Sequence, residues 1–403
     1  ITVAWESTFD AATERTTLPV LGAPVIFEMD PERRPLGAFA VAPKEGGTAT
    51  VAATRADGTL GIVRRSTTAN MMTGEVTSAV ESFSAALPAP LSALVVDADG
   101  GSLYGGTGGG EIYWWAVEEG GLGAPRTISA GPSPITALAL LIGDRALVVG
   151  QKDGSLSVWF QVRQSDDSFR LVRVRDFPGH TAAIARLSAS GRNKAFLALD
   201  RAGEIGLYYS TSHRTLWKGS APLAGASALL FAPKADGAFV AGSGRLAALD
   251  IHNPHPEVSL RALFGRVWYE GYQGPEYSWQ STGGTDDFEP KLSLTPLLVG
   301  TLKGTVYSLL LAIPLGVLGA MYASQFLHPK LLRVVKPTVE IMAALPSVVL
   351  GFLAGLWLAP QVERSFPGLA LMVVVLPVLV LLAGTAWRAL PRTLRGRFPA
   401  GSE

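Results

Sequence analysis

The chain has no cysteine among its 403 residues. That excludes a disulfide scaffold, a thiol nucleophile and any thiolate-held zinc or iron–sulfur centre. Histidine is scarce, at positions 180, 213, 252, 255 and 328 only. His252 and His255 straddle Pro254 without an obvious third ligand, so the pattern argues for no metal site. Charge is thin as well: charged residues make up 17% against 48% hydrophobic, where an average soluble chain carries about 25% charged residues. Lys+Arg is 34 and Asp+Glu is 33, for a net charge of +1. No basic excess is left for wrapping nucleic acid, and no acidic tail suggests disorder. The glycine run at 105–110 lacks the Lys-Ser/Thr of a phosphate loop and does not open a helix. No nucleophile–base pair can be argued, so neither an enzyme nor a cofactor is expected.

What the chain does have is long apolar runs, all near one end. Residues 304–329, 341–362 and 365–387 contain no Asp, Glu, Lys or Arg. A membrane-crossing helix needs about 20 predominantly apolar residues, so these runs predict spans at about 304–327, 341–360 and 367–387. Pro314, Pro346 and Pro377 fall inside them, where membrane helices tolerate proline better than soluble ones. Lys330, Arg333 and Lys336 follow the first run, and Arg388, Arg392, Arg395 and Arg397 follow the third. Against these seven stand Lys291, Lys303 and Arg364 on the other side. The bias predicts a cytoplasmic first loop and C-terminus, with residues 1–290 outside, periplasmic in a bacterium.

Residues 1–250 are of another composition, rich in glycine and short alternating apolar runs. One phrase recurs at 48–65, 92–116, 135–160, 183–209 and 226–250, each time with a glycine before a strand. Aligned on Gly58, Gly110, Gly154, Gly203 and Gly244, the steps are 52, 44, 49 and 41 residues. That period predicts an all-β propeller-like domain of WD/YVTN-like blades, at least five of them. The glycine supplies the positive φ of a hairpin turn. Gly179-His180 is similar to the Gly-His of WD-type repeats, and Ile1-Thr2-Val3-Ala4-Trp5 reads as the third strand of a blade whose beginning is missing. Basic residues in this domain are scattered at Arg64, Arg65, Arg173, Arg175 and Lys194. The domain therefore reads as an accessory platform rather than an anion site.

Residues 251–291 form a linker with an aromatic cluster: Phe264, Trp268, Tyr269, Tyr272, Tyr277 and Trp279. A packing role is expected for it. Asp286, Asp287 and Glu289 match no calcium-loop spacing and read as a solvated turn.

The last hundred residues carry a resemblance. Gly300-Thr301-Leu302-Lys303-Gly304-Thr305, Ala312-Ile313-Pro314-Leu315-Gly316 and Ala320-Met321-Tyr322 are similar to the first core helix of binding-protein-dependent ABC importer permeases. Residues 336–351 resemble the phosphate-type helix that runs from an acidic residue through Ala-Leu-Pro-Ser to a glycine. Its motif positions here are Glu340, Ala344, Leu345, Pro346, Ser347 and Gly351. Trp279-Gln280-Ser281-Thr282 and residues 288–293 resemble the long form of the PstC-type permease, with a large domain ahead of its transport core.

The resemblance implies a partial, MetI-like α-helical permease core over 292–403, carried by a bacterial inner-membrane protein. It also implies a second permease subunit, a cytoplasmic ATPase subunit that hydrolyses the ATP and a periplasmic phosphate-binding protein as partners. The Ile1 start and polar end read as a piece of a longer protein, with the substrate-binding residues in helices not included. Glu340 sits near Lys336 and reads as a local ion pair or a helix-start residue. The competing function is a membrane-anchored propeller acting as a periplasmic binding or sensory module.

Overall fold

The computed structural model describes residues 5–6, 9–10, 15–16, 20–21, 24–43, 48–69, 76–118, 121–285 and 287–389. Residues 1–4, Asp286, Arg392, Arg395 and Arg397 lie outside these. The chain divides into two compact units, Ile1–Lys303 and Gly304–Glu403.

Among the described residues, five antiparallel sheets of three or more strands follow one another in the first unit. Three have four strands each in simple sequential order, and the second carries a fifth. The first holds Phe39–Pro43, Ala49–Thr54, Thr59–Ala69 and Val76–Ala86. The second is built on Leu91–Val96, Ser102–Thr107, Glu111–Glu118 and Arg126–Ser129, with Gly121–Leu122 paired at one end. The third comprises Ile135–Leu140, Ala146–Gln151, Leu156–Arg163 and Phe169–Phe177. The fourth comprises Ile184–Ala189, Ala195–Asp200, Glu204–Tyr209 and Arg214–Ser220. The fifth has three strands, Ala226–Phe231, Gly237–Gly242 and Arg245–Asp250. The expected repeat at 48–65 starts one strand late, because Phe39–Pro43 pairs with Ala49–Thr54 as the first strand of that sheet.

The sheets stack face on face. Leu60, Ile62, Leu94, Leu103 and Trp115 share one apolar cluster between the first two. Further clusters join the second to the third, the third to the fourth, and the fourth to the fifth. Hence Ala146–Gln151 and Ala195–Asp200 are buried at every position, because neighbours cover both faces. Among the described residues no such cluster joins the fifth sheet to the first. Gly237–Gly242 accordingly alternates, and Leu230, Phe239 and Leu246 stay exposed on the uncovered face. The array is propeller-like without being a closed barrel.

The five aligned glycines all have positive φ, between +70° and +88°. Three of them also receive the chain on its way to the next sheet. The amides of Ala130, His180 and Ala221 donate to the carbonyls of Gly110, Gly154 and Gly203 at 2.8, 2.9 and 2.7 Å. The chain just after the fourth strand is thus tied to the turn before the third.

Segment 251–293 is held to the sheets by buried charge. The Lys194 ammonium donates to Glu270 Oε2 and to the Ile142 carbonyl, both at 2.6 Å, with Lys194 1% exposed. Glu289 accepts from the Thr211 hydroxyl and, at 2.9 Å, from the Glu270 amide. Glu289 is buried rather than part of a solvated turn. Asp287, which stays ionised more readily than usual because Thr285 bonds to it, fits the solvated reading. Of the aromatic cluster, Tyr269 is buried against Val267 and Ala262, and Trp268 and Tyr272 are half-buried. Phe264, Tyr277 and Trp279 remain exposed, so the packing role holds for half of the cluster.

Two outcomes follow from this geometry. Gly154→Ala adds a Cβ that would lie 2.1 Å from the His180 carbonyl oxygen, whereas Gly244→Ala meets nothing within 4 Å. Both pay about 1–2 kcal/mol for a side chain at positive φ. Denaturant unfolding should show Gly154→Ala clearly the more destabilised; equal losses would contradict the close approach. Burial and the nearby Glu289 carboxylate push Glu270 up to about 7, with Lys194 opposing. A carboxyl whose folded pKa is raised loses its stabilising contribution as pH rises through that value. Relative to Glu270→Gln, the wild-type chain should therefore lose stability between about pH 4.5 and about pH 7, read by unfolding midpoints across that range.

Candidate functional site

The motif positions fall on a sharply broken helix. A first helix, Thr295–Gln325, runs through Pro314. A second begins at Pro329, where the ring costs no hydrogen bond. The His328 side chain caps it by accepting from the Lys330 amide at 3.2 Å. This helix extends to Ala344, so Glu340 lies well inside it and is not a helix-start residue. Lys336 is one turn away, but among the described residues Glu340 forms no ion pair within 4.0 Å. Lys four residues before Glu is the weaker orientation of such a pair.

The break is made by Leu345-Pro346. A proline cannot donate to the helix, and it drives the residue before it out of the α region. Leu345 accordingly sits at φ −72°, ψ 135°. The helix resumes at Ser347, and the two arms are bent by 94°. Ala344 closes one arm and Ser347 opens the other. Ser347, Gly351 and Gly355 then recur every four residues along one face, with open space beside both glycines. Such small residues let a second helix approach closely in a bilayer.

Beyond Leu353 the chain makes a π-helical turn over Ala354–Leu358 and continues as α-helix from Ala359 to Ala389. The expected loop around Arg364 is thus helical. Val362-Glu363-Arg364 offers no glycine or asparagine to reverse the chain, and Pro367 and Pro377 are accommodated inside the helix. Thr295–Gln325 and Ala370–Ala389 are each long and apolar enough to cross a membrane, and the bent pair makes up to a third crossing. None of the residues in the helices Thr295–Gln325, Pro329–Ala344 and Ser347–Leu353 is buried. Faces this apolar need lipid or other helices around them.

In the sheet-rich unit, His180, Asp200 and Glu204 come together. His180 Nδ1 lies 3.3 Å from Asp200 Oδ2 and 3.1 Å from Glu204 Oε2, and its Nε2 lies 3.0 Å from the Tyr208 hydroxyl. Burial, then the Lys218 charge, lowers the His180 pKa. A neutral ring donates from Nδ1 to Asp200 and accepts the Tyr208 proton at Nε2, while Glu204 Oε2 stays without a hydrogen bond. Lys218 Nζ, 3.6 Å from Glu204, supplies positive charge to the same group. The cluster locks the turn before the fourth sheet, which gives the Gly179-His180 pair a structural job. His252 and His255 form no joint cluster: His255 contacts Glu257 at 3.2 Å, and His252 lines a separate cavity of about 360 Å³.

No protein-family model matches the chain. Over 136 residues it is 30% identical to a probable ABC transporter permease protein, YqgH, of Bacillus subtilis (strain 168), covering 31% of this chain and 43% of the relative. Over 102 residues it is 34% identical to the phosphate transport system permease protein PstA 1 of Mycobacterium tuberculosis (strain CDC 1551 / Oshkosh), covering 24% of this chain and 34% of the relative. The chain thus spans less than half the length of the curated relatives it matches. Its distant homologues are ABC transporter permeases, a phosphate-system permease among them.

Proposed function

We propose that the chain is a membrane-spanning permease component of an ATP-driven inorganic phosphate importer. The observation that carries this reading is homology to ABC permeases together with the broken, wholly unburied helix at Ala344–Ser347. A simple anchor needs one generic apolar span. Here two helices and a bent pair qualify, and a small-residue face on Ser347 and Gly351 stands open. A second permease subunit packs against that face, and a separate cytoplasmic ATPase subunit hydrolyses ATP. A periplasmic phosphate-binding protein delivers the ion. Phosphate, rather than another cargo, is favoured by the similarity to the mycobacterial phosphate permease and by the resemblance of residues 336–351.

The organisation proposed with it places residues 1–250 as a periplasmic propeller-like domain, 251–291 as its linker and 292–403 as the permease segment, in the bacterial inner membrane. Lys194, Glu270 and Glu289 hold this linker to the sheets.

Two measurements test the proposal. Deleting the gene for this chain should abolish ATP-dependent uptake of radiolabelled phosphate by cells that lack other phosphate importers. Undiminished uptake would refute the assignment. Reporter fusions address the orientation: one after Glu403 is expected to be active in the cytoplasm, and one inserted at Gly108 only in the periplasm. Activity of both on the same side would overturn the topology.

A further inference from the structure

Arg175, Arg261 and Arg266 are far apart in sequence yet line one cavity of about 110 Å³. His213, Thr211 and Trp268 complete the part of its wall that matters here, and no carboxylate residue lines it. We propose that this cavity binds a small tetrahedral oxyanion, of the phosphate or sulfate type.

Each guanidinium is held without being neutralised inside the cavity. Arg175 is buried, donates to the Trp268 carbonyl, and has its Nη1 3.3 Å from the Ser210 hydroxyl. Those contacts occupy two of its five N–H groups. Burial lowers its pKa, Glu289 and Glu270 counter that effect from outside the cavity wall, and Arg261 adds to it by repulsion. Arg261 Nη1 lies 2.8 Å from His213 Nδ1. An arginine can only donate, so His213 accepts there and must carry its proton on Nε2, which reaches the Asp176 carbonyl at 2.7 Å. His213 thereby orients Arg261. Arg266 lies over the Tyr277 ring at 5.3 Å, which leaves its in-plane N–H groups free. Among the described residues, none of these three arginines has a carboxylate within 4.0 Å.

Three arginines lining one space put like charge on its wall, which a bound anion would offset. Their planar forks suit phosphate oxygens, and such charge-assisted bonds are about twice as strong as neutral ones. Size narrows the ligand. At about 30 Å³ of liquid per water molecule the space holds only a few waters, well short of the ~300 Å³ at which pockets for larger organic ligands begin. The space is sized for an inorganic oxyanion rather than for a whole nucleotide. The inference goes beyond the transport reading, since the cavity belongs to the sheets and linker and needs no transport path.

The test uses the full chain in detergent, without ATPase or binding protein, so its result is separable from any failure of transport. Isothermal titration with inorganic phosphate and with sulfate, at constant ionic strength in chloride, should give saturable binding of at least one of them. The same ion should raise the unfolding temperature, as a ligand selective for the folded state must. The double variant Arg261→Gln with Arg266→Gln changes exposed side chains and should weaken binding at least tenfold. If that variant is misfolded by circular dichroism, Arg266→Lys, which keeps the charge and loses the fork, should still weaken binding severalfold. No saturable binding of either ion, or binding that the folded variants retain in full, would overturn the site.

Discussion

A nearly inaccessible lysine governs how the first unit is assembled. An ammonium withdrawn from water costs several kcal/mol unless it is paired and hydrogen-bonded, so Lys194 cannot be buried by the sheets alone. Its partners are the Ile142 carbonyl, which follows the first strand of the third sheet, and Glu270, which lies beyond the last strand of the fifth sheet. Burying Lys194 therefore requires segment 251–293 to return across the third and fourth sheets. Glu289 extends the tie through Thr211 and the Glu270 amide. The start of the Thr295–Gln325 helix comes two residues after Ser293, which is itself fully buried.

The same return of the chain creates the arginine-lined cavity. Arg175 belongs to the fourth strand of the third sheet, while Arg261 and Arg266 arrive with the segment that Lys194 draws in. Positive charge that is dispersed along the sequence becomes local only through this docking. No carboxylate lines the cavity wall, although Glu289 and Glu270 act on Arg175 from outside it. On the proposed reading, the sheets are accessory to transport and carry chemistry of their own.

The helical unit obeys a different constraint. Water is not available to satisfy backbone groups within a bilayer, so a break there is costly unless something lines it. The 94° bend at Leu345-Pro346 frees backbone groups at the centre of the family-like motif. The adjoining π turn at Ala354–Leu358 shifts the helix's own register just beyond Gly351. Irregularities of both kinds gather at working positions more often than elsewhere. The exposure of every flank of these helices is the physical sign that their packing partners are other chains, other helices or lipid.

Composition and spacing alone determined much of this. Glycine at near-regular steps, each before a strand, was enough to announce stacked hairpin-connected sheets, because only glycine takes φ near +80° without cost. Charge-free runs announced apolar helices because few soluble helices can do without a polar face. Pro346 went the other way: it was expected to be tolerated inside one continuous span at 341–360, and instead the helix ends at Ala344 and restarts at Ser347. Tertiary structure alone decided the rest. Residues 361–366 became helix where a loop was expected, as a short polar stretch carries no obligatory turn signal. Glu289 became a buried acceptor, and among the described residues Glu340 forms no ion pair despite its neighbour. Lys194 met Glu270, and Arg175 met Arg261 and Arg266, across 76 and more residues of chain. Periodicity reports what a residue does within its own element. Long-range electrostatic pairing depends on where the elements come to rest, and no local pattern encodes that.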